Sequence, residues 1–506
     1  MANVKHNIIA NYLGQVWTGL LALAFIPLYI EYLGMEAYGL IALFAVIQSS
    51  LMLLDAGMTP TLNREMARFR AGVHSPQSIR ELLHSLEVIC CGLAMLTIAG
   101  LWLASPYLAS DWLKADYLSV DVVTNALVIM GFIVGMRLCE GIYRGSLYGL
   151  EQQVWYNAVY SLLTTLRYGG ALAILAWISA SVNVFFLWQA AISLLTVVIF
   201  AYRVNQALPE VFLPVKFSWS ALAQVWKFAG GMMSITFLTM ILLQSDKLLL
   251  SRLLSLTDFG YYALAAAAAS ILYMIIVPVT QAVYPRIVSF ATIQSNPDLI
   301  RLYHQISQLI VVLISPAAML LCFFSGGVIY VWSGSLSLVN NAAPILSILA
   351  VGSFLNSLSY LPYQVQIAHG WTGLLFKIHL LIVLTLVSLI YIVFPRFGAE
   401  GAAWIWLLIN AAYLAISSHF MHRKLLVNEK WRWYFFDLVL PTLGVVIVMY
   451  LAQLIQPQGY QSRLDWIFFL TVTGVVAVLT SSMLARTIFL QVHSYFWMQN
   501  NNTEPK

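Results

Sequence analysis

Residues 8–30 read IIANYLGQVWTGLLALAFIPLYI, twenty-three positions without a charged side chain. A helix needs about 20 mostly apolar residues to cross a bilayer, so this run is long enough to span. It is also too long for the core of a secretory signal and lacks a cleavage region, which marks it as a retained first span. The same pattern recurs down the chain. Cutting at charges and turn residues gives fourteen runs of similar length, from 8–30 and 38–60 through 156–178 and 227–251 to 464–485. The connections between them are short, and none has the length of a separate domain.

Composition agrees with this reading. Of 506 residues, 61% are hydrophobic and 9% charged, with a mean hydropathy of +0.84. A soluble domain carries about 25% charged residues to coat its core, so lipid must cover much of this surface. The formal net charge of +5 comes from scattered residues, without the dense basic stripe that tracks phosphates along a nucleic acid. Cys90, Cys91, Cys139 and Cys322 lie in apolar runs without CxxC or metal-ligand spacing, and read as small core residues. No metal or cofactor is expected.

Lysine and arginine resist translocation, so their placement sets orientation. With a cytoplasmic N-terminus and fourteen spans, 19 basic residues fall inside, among them Arg64, Arg68, Arg70, Arg423 and Lys424. Only four (Lys114, Arg252, Arg396 and Arg463) fall outside. Both termini are then expected in the cytoplasm.

An internal repeat refines the architecture. Residues 33–43 read LGMEAYGLIAL and residues 254–264 read LSLTDFGYYAL, with Leu33, Tyr38, Gly39, Ala42 and Leu43 matching Leu254, Phe259, Gly260, Ala263 and Leu264. An even number of spans separates the copies, so both insert in the same direction. That parity predicts a parallel repeat with a pseudo-twofold along the membrane normal. The expected fold is an all-α polytopic membrane protein of about fourteen helices. A six-helix bundle over 1–215 and a second over 216–425 are followed by two additional helices and a tail over 426–506.

Several of these stretches carry a family resemblance. Residues 9–40, IANYLGQVWTGLLALAFIPLYIEYLGMEAYGL, and 53–68, LLDAGMTPTLNREMAR, combine an early Asn11, Pro27, an LG-x-x-x-[YF]-G turn and D-x-G before a basic exit. Residues 244–265, QSDKLLLSRLLSLTDFGYYALA, repeat the pattern, and FGAEGAAW opens the twelfth span at 397. This resembles the Wzx-type polysaccharide flippases of the multidrug/oligosaccharidyl-lipid/polysaccharide exporter superfamily. The resemblance implies a cargo, an undecaprenyl-diphosphate-linked oligosaccharide repeat unit moved from the cytoplasmic to the periplasmic face of a bacterial inner membrane. It also implies a polysaccharide polymerase and a chain-length regulator as partners. The lipid II flippases of the same superfamily match less well, because the Arg-Asp opening of the first span and the DAF-like sequence after the turn are missing.

Ionisable residues inside spans cost roughly 2.5–3.5 kcal/mol on insertion scales and survive where they meet a partner or a cavity. Arg167 sits eleven residues into the fifth run, ~16 Å deep, and is the first candidate for a cavity-facing, substrate-binding cation; the competing reading is a buried pair tying helices together. Lys247 and Arg137 are further substrate candidates. Lys247 also suits snorkelling to the outer interface, and Arg137 with Glu140 and Arg144 has the spacing of a local ion-pair ladder. Asp55, Asp246 and Glu140 are candidate carboxylates for coupling to H+ or Na+; Asp55 suits a capping role equally. His379 and Asn410 read as interhelical hydrogen-bonding groups.

These features separate the classes of function. The chain has no Gly-x-x-x-x-Gly-Lys-[Ser/Thr] loop, so direct ATP use is excluded. A multidrug exporter of the same fold would favour acidic cavity groups over Arg167. A membrane polymerase or ligase needs a sizeable outer loop, whereas the outer connections here run roughly 5–15 residues. A transporter, not an enzyme, is expected.

Overall fold

A computed structural model of the chain describes residues 2–485 apart from 51–54, 56, 71, 213, 220–221, 224–243, 245–246 and 294. The chain divides into two compact units, Met1–Gly260 and Tyr261–Lys506.

The first unit contains α1 (Ala2–Ala24), α2 (Ile26–Leu33), α3 (Met35–Ser50), α4 (Met58–Arg70), α5 (Pro76–Tyr107), α6 (Val120–Gly149), α7 (Gln153–Trp177), α8 (Val182–Ala207) and the first turn of α9 (Leu256–Ala269). The chain breaks between α1 and α2 where Pro27 takes a first-turn position, a place where its missing N–H costs nothing. The Ser75 and Ser119 hydroxyls cap α5 and α6 by accepting from the Ser78 and Val122 amides. α6 is the hub, and its glycines explain why. A side chain at Gly135 would meet Ile98 of α5 at 3.1 Å, and one at Gly145 would strike the Thr59 backbone at the start of α4. Small residues ten apart on α6 thus let α5 and the start of α4 each approach closely.

One end of this unit is pinned by polar contacts. The buried Glu36 carboxylate, in the first copy of the repeated turn, accepts from the amides of Asp116, Tyr117 and Leu118. Lys114 Nζ donates to the Leu253 carbonyl at 3.1 Å, and the Lys114 carbonyl accepts from Leu256 N–H at 2.9 Å. The two repeat copies also touch. A side chain at Gly39 would strike the Leu256 carbonyl, and one at Gly260 would lie 2.9 Å from the Met35 carbonyl.

The second unit contains the rest of α9, then α10 (Ile271–Thr292), α11 (Asn296–Phe323), α12 (Ser325–Ser333), α13 (Leu336–Leu358), α14 (Tyr360–Ala368), α15 (Thr372–Lys424), α16 (Lys430–Arg432), α17 (Leu440–Gln453) and α18 (Arg463–Leu484). α15 is two helices joined at Gly398, whose φ of 53° only glycine adopts readily. A π-helical turn, Trp433–Val439, links α16 to α17. α11 is the hub here and touches α10, α13, α17 and α18. Asn356 of α13 donates to Asn410 of α15 at 2.5 Å, so Asn410 is an interhelical hydrogen-bonding group.

Among the described residues, eleven helices are long and apolar enough to cross a membrane. The expected second and eleventh spans coincide with shorter apolar helices, Met35–Ser49 and Lys377–Ile390. The expected seventh, 227–251, lies mostly outside the described residues. The chain is therefore an all-α polytopic membrane protein, and eleven of the fourteen expected spans correspond to helices of full length.

Candidate functional site

The interior of the first unit holds the charged groups singled out above. Arg137 is the eighteenth residue of the 30-residue α6. Its guanidinium pairs with Glu140, one turn on, at 3.0 Å and reaches the Tyr160 hydroxyl of α7 at 3.5 Å. Glu140 is buried at 3% exposure, which a carboxylate tolerates only with such a partner. Arg137 Nε has no hydrogen-bond partner among the described residues.

Asp55 reaches the same stretch of α6 from the other side. Its carboxylate accepts from the Thr59 amide at 3.2 Å and the Thr59 hydroxyl at 2.7 Å, closing the first turn of α4. Through Gly141, which leaves room for Asp55 and Thr59, it comes within electrostatic range of Arg144. Asp55 thus fills the capping role and also places a carboxylate beside the α6 cations. Glu87 of α5 completes the cluster, accepting from the Tyr143 hydroxyl at 2.9 Å with His84 at 3.7 Å.

Arg167 lies elsewhere. It is the fifteenth residue of the 25-residue α7 and 5% exposed, on the face of that helix that carries the buried Leu163, Thr164 and Ala171. Among the described residues its one hydrogen bond goes to the Thr196 hydroxyl of α8 at 3.4 Å, and Nε has no partner. Thr164 Oγ1 and Ser193 Oγ, on the same two helices, are also buried and unpartnered among the described residues. A guanidinium carries five donors, and among the described residues the Nε donor of this one is left unsatisfied. Lys247 is half-buried on the helical stretch 247–253. Asp246 lies outside the described residues. The structure therefore brings Arg137, Glu140 and Asp55 together around α6 and leaves Arg167 apart, between α7 and α8.

The second unit holds a polar cluster that the sequence reading missed. His304 of α11 is 4% exposed, and both its ring nitrogens face carboxylates. Nδ1 contacts Asp437 Oδ2 in the π-helical turn, and Nε2 lies 2.9 Å from Glu429 Oε2. Gln308 Nε2 donates to Asp437 Oδ1 at 2.8 Å, and Trp433 Nε1 donates to the Ser307 hydroxyl at 2.8 Å. The available signal was Asp437, a carboxylate inside the thirteenth apolar run; its partner stands 133 residues away, beyond the reach of helical spacing.

Many long apolar helices around buried cations define the class as a polytopic membrane protein. Residues 4–291, more than half of the chain, match the family described as polysaccharide biosynthesis protein. The chain belongs to that family. A Shigella flexneri relative named as an O-antigen transporter is 21% identical over 408 residues, spanning 80% of this chain and 94% of the relative. Two solved structures share the fold. The lipid II flippase MurJ, in an inward closed conformation, aligns with a TM-score of 0.70 at 13% identity over 95% of this chain and 100% of its own. An inward-facing multidrug resistance MATE family transporter of the MOP superfamily aligns with a TM-score of 0.65 at 13% identity, covering 80% of this chain and 94% of its own. These relatives are transporters and not enzymes, and the chain shares the fold of the two solved ones.

Proposed function

We propose that the chain carries an undecaprenyl-diphosphate-linked oligosaccharide repeat unit from the cytoplasmic to the periplasmic face of a bacterial inner membrane. The two bundles, 1–215 and 216–425, alternate in exposing the headgroup, and the two helices within 426–506 are an addition to them. A diphosphate cannot cross hydrocarbon, since each buried anion costs several kcal/mol even after relaxation. Fixed cations must replace its water.

The observation that carries this reading is Arg167, a buried guanidinium at mid-helix depth whose Nε has no partner among the described residues. Natural proteins pair buried charges unless a ligand does so. Arg137, whose Nε is unpartnered among the described residues, and Lys247 are the further contacts in this reading, and the relative's O-antigen name supports a sugar cargo. Asp55, Glu140 and Asp246 are the proposed coupling carboxylates for H+ or Na+. A polysaccharide polymerase and a chain-length regulator act on the delivered product.

The experiment is flipping of a fluorescent lipid-linked oligosaccharide in proteoliposomes, with lipid II as the competing cargo. Arg167→Ala is expected to abolish transport of the oligosaccharide carrier and Arg167→Lys to restore part of it. Full transport by the alanine variant at normal protein levels would remove Arg167 from the mechanism. Equal rates with and without imposed H+ and Na+ gradients would remove ion coupling.

A further inference from the structure

Groups at one end of the second unit form an arrangement that transport of an anionic lipid does not explain. Both nitrogens of His304 lie against carboxylate oxygens, Asp437 on one side and Glu429 at 2.9 Å on the other. A neutral imidazole has one N–H donor and one lone pair. If it stood between two ionised carboxylates, one contact would set a lone pair against a lone pair. Both contacts are attractive together only with one proton more, either on the ring as imidazolium or on one of the two carboxyls. That proton is shared by three groups on α11, on the connection after α15 and in the π-helical turn.

The surroundings fit a site for a mobile proton. Asp437 has both oxygens engaged, the second by Gln308 at 2.8 Å, and its side chain is 2% exposed. Glu429 is 19% exposed and lies 3.5 Å from Arg432, so it is the end that water reaches. With His304 positive and both carboxylates ionised, Arg432 brings the cluster to neutrality. Two further polar atoms beside it are buried and unpartnered among the described residues, the Tyr303 hydroxyl and His422 Nε2; His422 Nδ1 donates to the Ser418 carbonyl at 2.7 Å. The remaining charged groups facing the cluster are accounted for. Lys430 contacts His419 Nδ1 at 2.9 Å, Lys424 sits over the Trp371 ring at 4.2 Å, and Arg301 and Arg423 are exposed. Tyr434 reaches the Leu414 carbonyl at 3.5 Å. The π-helical turn that presents Asp437 is itself a rare feature concentrated at functional sites.

We propose that His304, Asp437 and Glu429 form a proton-binding site of the second unit, reached from the Glu429 end, which holds the 429–439 segment against α11 while the proton is bound. Loss of the proton makes one of the two carboxylate contacts repulsive and loosens that hold. The site is additional to Asp55, Glu140 and Asp246, and it does not depend on the identity of the cargo.

The test reads the proton directly. His304–Gln305 is the only His–Gln dipeptide in the chain, so joint isotope labelling of histidine and glutamine assigns its ring signals by solid-state NMR. Full-length protein in lipid nanodiscs is expected to show both His304 nitrogens protonated at neutral pH, or one protonated beside a protonated carboxyl seen by infrared difference spectroscopy. Raising the pH is expected to remove one proton. Glu429→Gln, at the more accessible end, is expected to lower the protonated fraction at neutral pH several-fold, and Asp437→Asn to do the same. A neutral ring of one tautomer with no protonated carboxyl at every pH overturns the proposal, as does a spectrum indifferent to Glu429→Gln. Because no transport is measured, either outcome leaves the flipping experiment to stand or fall by itself.

Discussion

Arg167 separates structure from function by sign. Leaving buried donors unsatisfied costs about 1–3 kcal/mol, so the folded protein gains nothing evident from this guanidinium. Arg167→Met, which keeps the apolar stem and removes the charge, is expected to leave thermal stability unchanged or raise it while transport is lost. A tie between helices would behave oppositely, since removing one partner of a buried ion pair costs about 3–5 kcal/mol; a large fall in Tm for the methionine variant would favour that reading. Glu36 is the reverse case. Its carboxylate accepts from the three consecutive amides of residues 116–118, and Glu36→Ala strands those donors. The expected loss is again about 1–3 kcal/mol, read as a lower Tm and faster proteolysis near Tyr117, with little change in transport per folded molecule.

At the scale of helices, the close approaches were only half legible. Matching Gly39 to Gly260 by sequence exposed the repeat, but nothing in a one-dimensional alignment says that the copies meet, backbone to backbone. Gly39→Val is expected to cost about 1–3 kcal/mol through overpacking, checked by folded yield in detergent; Gly100→Val, whose Cβ position meets open space, is the control. Hydropathy located the long helices because lipid selects for continuous apolar runs, and i,i+3 spacing foretold the Arg137–Glu140 pair. Asp55 remained ambiguous until its two bonds to Thr59 showed it closing a turn of α4. The His304 cluster was illegible for a different reason. Its members are far apart in sequence, and the turn that presents Asp437 departs from the 3.6-residue period on which helical pattern arguments rest.

For the whole chain, the distribution of basic residues makes a prediction about sidedness. Single cysteines at Asp116 and Gln458 are expected to react with a membrane-impermeant maleimide added to intact spheroplasts, and cysteines at Asp298 and Asn428 only after permeabilisation. The reverse pattern would invert the proposed orientation and with it the direction of transport. The segment Trp433–Val439 bears on the chain in another way. A π-helical turn holds one residue more than the α-helical turn it replaces, and one residue is worth about 100° of rotation about a helix axis. Deleting a single residue there would wind the last hairpin round by more than a quarter turn. Gly444, Val445 and Met449, now sealed inside, would then swing toward lipid while charged neighbours upstream stayed put. The extra residue works as a phase correction, and a frame-preserving one-codon loss at this point is expected to be more damaging than most substitutions in the same helix.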